Sequence, residues 1–405
     1  SKVASGKSPL TALLKAFDWI EIQRKRTKHD VNGKRVDHWG LLPAASAHDW
    51  LAGNAMFNDG FCIYGMAETV RLLREIKHPR AEECARELAD YRKCLHDAYA
   101  RETHLARPVP LPDGSTIPFV PRVVGELDWA KVDWTYTLLG PMRDGAWGAL
   151  DPHDKMVDWS LAFCEAGMPK GQGAYFNESV RTSEIGDINW ADITQPDAPR
   201  HWLWRHYVEY ETMWPVGWHL FLARDDLPRY FEWFANNLAF VVHQDWRVGV
   251  ESVDGVPSNA PGDGDRWQAI RAMFVHEREG YDGTEQSLFL LQAIPRAWLQ
   301  PGAHLAVKEM PTSFGGRINL TLDVPQAPTP QGRHAARPDS VQVSVRLSGL
   351  AIKPASVVMR LRSGDGRPLE YAVVNGRRVP AVPGDLIRLP VKQDGKLEIV
   401  GHFAG

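Results

Sequence analysis

The residues best suited to do chemistry in this chain are carboxylates standing among tryptophans and tyrosines in long polar connections. Glu178 lies in Tyr175-Phe-Asn-Glu-Ser179, just behind two aromatics. Apolar surroundings raise a carboxyl pKa, and an acid that keeps its proton near neutral pH can protonate a leaving oxygen. Glu251 follows Asp245-Trp-Arg-Val-Gly-Val250 and precedes a Gly/Pro-rich stretch, a place for a base at a cleft rim. For both, the plainer reading is a solvated loop acid. Asp59 stands where a helix over 61–76 is predicted to begin, and there it reads as the N-cap, worth about 1 kcal/mol. Further acids on the long connections include Asp128, Asp144 and Asp187.

Two carboxyls flanking a glycosidic bond suffice for its hydrolysis, one as acid and one as base or nucleophile. A sugar ring also has apolar faces and a polar rim, which an indole matches with one flat face and one donor. The chain holds 16 Trp, and Trp50, Trp129, Trp147, Trp190 and Trp246 all fall on long connections. Anchoring those loops is the competing role for each. Glu209 and Glu211, in Tyr207-Val-Glu-Tyr-Glu211, point about 200° apart if helical, so one of them at most faces a cleft. The predicted substrate-binding set is Trp50, Asp187, Trp190, Glu209 and Trp246.

Composition narrows the class. The 405 residues are 44% hydrophobic and 24% charged, a globular balance long enough for two cores. A net charge of −3 argues against a nucleic-acid partner. No run nears the roughly 18 apolar residues of a membrane span, so no membrane partner is expected. The start, Ser1-Lys-Val-Ala-Ser-Gly-Lys7, has no apolar leader region; a removed leader and an upstream continuation both fit. Cys62, Cys84, Cys94 and Cys164 show no metal-ligand spacing, and Cys62 and Cys164 read as inert core residues. No GxGxxG, Walker A or GxSxG motif occurs, so neither a cofactor nor a metal is expected.

The elements that must position these residues change character near residue 285. Before it, helical periodicity predicts about seven helices: 10–26, 61–76, 82–102, 155–166, 202–222, 228–242 and 266–276. Short turns at His78-Pro79 and Arg224-Asp225-Asp226 alternate with long loops over about 38–57, 105–150, 168–200 and 243–265. That alternation puts the long loops at one end of a set of helical hairpins, around one cleft. After it, strands are predicted over 287–294, 341–347, 357–362, 371–374, 386–389 and 396–400, with Asn375-Gly376 as a hairpin turn. The expected architecture is α+β and multidomain. Residues 1–284 form an (α/α) toroid of helical hairpins and 285–405 an antiparallel β-sandwich.

Several segments carry a family resemblance: Gly40-Leu-Leu-Pro43, Phe57-Asn-Asp-Gly60, Thr116-Ile-Pro118, Leu288-Phe-Leu-Leu-Gln-Ala-Ile-Pro-Arg-Ala-Trp-Leu299 and Pro311-Thr-Ser-Phe-Gly315. Together they resemble the six-hairpin (α/α)6-toroid glycosidases, with the α-L-rhamnosidase-like and uronidase-like branches nearest. The resemblance spans roughly 38–400 and rests on structural more than catalytic motifs. It implies a glycoside hydrolase with a carbohydrate substrate. It also implies that Asp59 is a carboxylate facing the cleft, which joins it to Glu178 and Glu251 as catalytic candidates. A full toroid has twelve helices against the seven counted. Either helices hide in 105–150 and 168–200, or a partner chain or an N-terminal region completes the ring.

Two other functions compete. A polysaccharide lyase would need a Tyr or His base and a group to neutralise a uronate carboxylate; Tyr207, Tyr210, His206, His243 and Asn236-Asn237 supply the types. A non-catalytic glycan-binding or structural subunit would keep an incomplete cleft. The compartment stays open.

Overall fold

Helices form where the apolar period of three and four residues runs longest. In the computed structural model, residues 8–48, 51–111, 113–129, 140–166, 216–240, 260–279, 286–326, 338–391 and 394–404 are described. The chain divides into two units, Ser1–Asp265 and Arg266–Gly405.

The first unit is helical. Helix α1 (Pro9–Thr27) opens with proline in its first turn, where a missing N–H costs nothing, and ends in Arg24, Lys25 and Arg26, which suit the negative end of the helix dipole. Helix α2 (Met56–Glu75) buries Ile63, Met66, Val70 and Leu73. Helix α3 (Ala81–Leu105) buries Cys84, Leu88, Tyr91, Leu95 and Tyr99 and turns most of its charged residues outward, Glu102 being buried. Then come α4 (Pro141–Ala146), α5 (Lys155–Ala166), α6 (Val216–Arg224) and α7 (Leu227–Phe240). Helix α2 packs against α1, α3 and α4; α4 also packs against α5 and α6, and α6 against α7. Asp226 caps α7: its Oδ1 accepts the Arg229 N–H at 3.3 Å.

Two expectations about the first unit are corrected. Helix α2 begins at Met56, five residues before the predicted start, and its N-cap is Ala55 with no side-chain cap bond. Asp59 therefore lies inside the helix and is not its cap. The long connections 38–57 and 105–150 also hold more structure than a loop. They contain, after the small hairpin β1–β2 (Asp30–Val31, Lys34–Arg35), the hairpins β3–β4 (Ala45–His48, Leu51–Gly53) and β5–β6 (Val109–Pro110, Thr116–Ile117), besides α4. Six residues are too few for a helical period to show, which is why α4 escaped the pattern.

The second unit carries two sheets. After α8 (Ala260–Phe274), which spans the boundary between the units, come β7 (Val275–Glu279), β8 (Gln286–Leu290), β9 (His304–Pro311), β10 (Arg317–Asp323), β11 (Ser340–Ser348), β12 (Ser356–Arg360), β13 (Leu369–Val374), β14 (Arg377–Pro380), β15 (Leu386–Leu389) and β16 (Gly395–Phe403). One sheet runs β14-β13-β16-β11-β10-β9 and is antiparallel throughout. Its register aligns Leu320 with Val345 and Val345 with Leu397, and all three are buried, so one face is core and the alternate positions face outward. Asn375 and Gly376 form the β13–β14 turn with φ of 48° and 79°, as their types predict.

The other sheet runs β15-β12-β8-β7 and departs from the antiparallel expectation, because β12 pairs parallel to β8. The chain leaves β8, makes three strands of the first sheet, and re-enters beside β8 in the same direction, the crossover a parallel pair requires. Strands also start earlier than the pattern change near 285. Val275 and His276 prolong an apolar helical run, yet they open β7, which pairs with β8.

The burial pattern of α3 gives a contrast on one helix. Leu95 is 0% exposed and Leu105 56%. Leu95→Ala should cost about 2–5 kcal/mol, whereas Leu105→Ala should change stability by under about 0.5 kcal/mol, read as urea midpoints of helical ellipticity. Equal costs would contradict the described burial of α3.

Candidate functional site

Tyr91 and Tyr99 stand eight positions apart on α3, about two turns, and so share one face roughly 12 Å apart along the axis. Both are fully buried. The Tyr91 hydroxyl donates to Asp59 Oδ1 at 2.6 Å, and the Tyr99 hydroxyl donates to Asp144 Oδ2 at 2.6 Å. Asp59 comes from α2 and Asp144 from α4, so two acids on two helices meet two tyrosines on a third.

Asp59 is 1% exposed. Its Oδ1 also accepts the Leu42 N–H at 2.7 Å. Burial pushes its pKa up to about 7; the Tyr91 and Leu42 hydrogen bonds and the positive charge of Arg24 hold it from rising further. The Gly40-Leu-Leu-Pro43 segment owes its course to this neighbourhood. The Gly40 carbonyl accepts from Arg24 Nε at 2.8 Å, and the Leu41 carbonyl accepts from the Thr27 hydroxyl at 2.7 Å. Gly40 has φ of +70°, and a side chain there would run into Cys94. Arg24 is itself buried, lies 4.0 Å from the centre of the Tyr91 ring, and pairs with Glu87 and Asp90 of α3.

Asp144 is 0% exposed, and its carboxyl lies against the backbone of α2 at Gly60, where any side chain would collide with it. Its Oδ1 has no hydrogen-bond partner among the described residues. Burial first, and then the charge of Asp59, raise its pKa well above the usual carboxylate value, against the lowering pull of Tyr99 and Arg143. The guanidinium of buried Arg143 lies 4.0 Å from the ring centre of Trp147, 4.7 Å from that of Phe57 and 5.0 Å from that of Phe61. Trp147 in turn lies 4.1 Å from Phe61 and stacks at 6.1 Å with Tyr64. Phe61 and Tyr64 are 37% and 42% exposed. Two buried acids thus lie in the first turns of α2 and α4, and an aromatic surface opens to solvent from the same two elements.

Of the residues singled out from sequence, Glu178, Glu251, Trp50, Asp187, Trp190, Glu209 and Trp246 lie outside the described residues. The structure places Asp59 in the buried cluster, with its carboxyl bonded within the protein. Trp129 is an anchor: it is 3% exposed and its indole N–H donates to the Pro108 carbonyl at 3.2 Å. Trp147 belongs to the aromatic surface. Burial pushes the Cys62 thiol up to about 12, in keeping with the inert reading. Tyr91, Tyr99, Arg143 and the role of Asp144 were not singled out. The available signal was the eight-residue spacing of the tyrosines on a helix otherwise rich in charge. Among the described residues, no group of three or more His, Cys, Asp or Glu is placed to hold a metal ion, and no helix is long and apolar enough to cross a membrane. No family model matches this chain, and no curated protein matches it.

A buried carboxylic acid near neutral pKa can store a proton or donate one, and it also ties stability to pH. The folded pKa of Asp59 is raised above its unfolded value, so its contribution to stability is complete below the unfolded value of 3.8 and is lost as pH rises through about 7. The slope inside that window is at most about 1.4 kcal/mol per pH unit. Asn at 59 keeps an acceptor for Tyr91 and Leu42 and cannot ionise. Asp59→Asn should therefore gain stability relative to the wild type between pH 4.5 and pH 8, read by urea unfolding at both values. A stability difference independent of pH would show that Asp59 does not titrate in this window.

Proposed function

We propose that the chain is a glycoside hydrolase acting on a glycan or oligosaccharide through an acid/base carboxyl pair. The observation that carries this reading is the aromatic surface of exposed Phe61 and Tyr64 and half-buried Trp147, which lies on the same two helical elements as Asp59 and Asp144, two buried carboxyls with raised proton affinity. Protonating a glycosidic oxygen needs an acid that is still protonated near neutral pH, and a sugar ring stacks on such aromatic surfaces. The helical hairpin of α2 and α3 and the β-rich second unit accord with the toroid-plus-sandwich organisation that the resemblance implies. In this reading Glu178 and Glu251 are the acids on the connecting segments that complete the catalytic set, with Trp50, Asp187, Trp190, Glu209 and Trp246 as sugar contacts.

One observation favours a second reading. Asp59 and Asp144 are both sealed from solvent, and each accepts from a tyrosine of α3. A pair so placed braces three helices, and a chain that binds glycans without cleaving them would need it as much as an enzyme would.

The test is a panel of plant and bacterial glycans offered to the wild type, Asp59→Asn, Glu178→Gln and Glu251→Gln. Products are read both as new reducing ends and as ultraviolet absorbance of unsaturated sugars. The hydrolase reading expects reducing ends without absorbance, and a rate loss of about a hundredfold or more in at least one carboxamide variant that remains folded. Absorbance would identify a lyase. Binding without any product would favour the non-catalytic reading.

A further inference from the structure

A concavity of the helical unit lies along α3, on a face apart from that of Tyr91 and Tyr99. It has a volume of about 700 Å³, within the range of small-ligand sites, and is open to solvent. On α3 it is lined by His96, Ala100, Thr103 and His104, which recur at the three- and four-residue spacing of one helix face. The opposite wall is the first turn and a half of α5, with Lys155, Met156 and Trp159, and the end is closed by the β5–β6 hairpin at Pro108 and Pro118. None of these residues belongs to the Asp59–Asp144 cluster.

The chemistry of the lining is specific. Trp159 is half-buried and forms part of the wall, while alanine, proline and methionine make the remainder apolar. The acid of the groove, Asp154, is already engaged. Its Oδ1 accepts the Met156 N–H at 2.8 Å, and its Oδ2 lies 3.2 Å from His96 Nε2. Among the described residues, Lys155 and His104 make no ion pair or hydrogen bond through their side chains, although both line the groove. Thr103 presents its methyl side to the groove, since its Oγ1 is out of reach of solvent. The groove therefore offers an aromatic wall, an apolar floor, an uncommitted ammonium and an uncommitted imidazole, with its carboxylate spent.

We infer that this groove binds a carboxylate-bearing sugar, a uronate unit of an oligosaccharide. The apolar face of the pyranose lies against Trp159, and the uronate carboxylate meets Lys155 and His104. A neutral sugar satisfies the aromatic wall and leaves the cation without a partner. A small inorganic anion satisfies the cation and leaves the apolar floor uncovered. The inference is argued from the groove's own lining and does not need the chain to cleave anything.

The experiment is equilibrium titration of the intact chain with tri-galacturonate, and with the neutral trisaccharide cellotriose as control. Tri-galacturonate should bind in the micromolar to millimolar range and more weakly as salt rises, and cellotriose should bind at least about tenfold more weakly. Trp159→Ala should weaken tri-galacturonate binding by about tenfold or more. Lys155→Gln, an exposed position where folding is not at stake, should weaken it severalfold and flatten its salt dependence. Thermal unfolding of both variants serves as the check that the fold is kept. Equal binding of the neutral sugar, wild-type affinity in both variants, or no binding of tri-galacturonate would each overturn the inference. Because the readout is binding, failure of the hydrolase reading leaves these outcomes unchanged. A chain that binds tri-galacturonate here yet cleaves no glycan would sink the hydrolase proposal alone.

Discussion

The helical unit depends on one costly arrangement, two carboxylic acids placed out of water where α2, α3 and α4 meet. An ionised carboxylate in such a place is expensive, and the structure meets the cost in two ways. Each acid accepts a hydroxyl from α3, and burial moves each proton affinity upward so that charge is avoided. Much of the surrounding architecture follows from that placement. Gly60 has no side chain because the Asp144 carboxyl occupies the space, and the 40–42 segment is drawn in because Leu42 donates to Asp59. Arg24 and Arg143 are buried near the acids, one against Tyr91 and the other among the aromatics of α2 and α4.

Helix α3 serves two surfaces at once. Tyr91, Leu95 and Tyr99 face inward to the core and the acids, while His96, Ala100, Thr103 and His104 line the open groove toward α5. His96 and Ala100 each follow an inward residue by one position, about 100° round the helix, and Thr103 lies between the two faces. A rigid α3 is therefore a shared requirement. The tyrosine bonds that fix its inner face also fix the position of the groove wall, while the groove exchanges no residue with the buried pair.

The parts of this fold that are legible in the sequence are those decided within a few residues. Lys155–Ala166 and Leu386–Leu389 are found where their local periodicity predicts, the Asn375-Gly376 turn forms because its residue types permit positive φ, and Asp226 caps α7 as its place before Leu227-Pro228 suggests. The parts that are not legible are decided at long range. Asp59 was readable as a helix-start acid, but its partner Tyr91 lies 32 positions away and the unit around it removes the water that sets its pKa. Asp144 stood as one loop acid among many, because its tyrosine lies 45 positions back and its helix is too short for a period. The parallel pairing of β12 with β8 likewise follows from the path of the intervening strands through the other sheet. Composition pointed to aromatics and acids together; which acids meet which aromatics was settled by packing.

The central claim is that burial at the junction of α2, α3 and α4 keeps a carboxyl protonated up to near neutral pH. It is tested most directly by following the side-chain carboxyl carbons of aspartate by carbon-13 NMR through a pH titration of the wild type and Asp59→Asn. The account predicts an aspartate resonance that titrates near pH 7 and is missing in Asp59→Asn, and a second, from Asp144, that keeps its proton well above the usual carboxylate range. If every aspartate of the wild type titrates in the ordinary carboxylate range, the junction is not the dry, proton-holding site described, and the functional reading built on it loses its support.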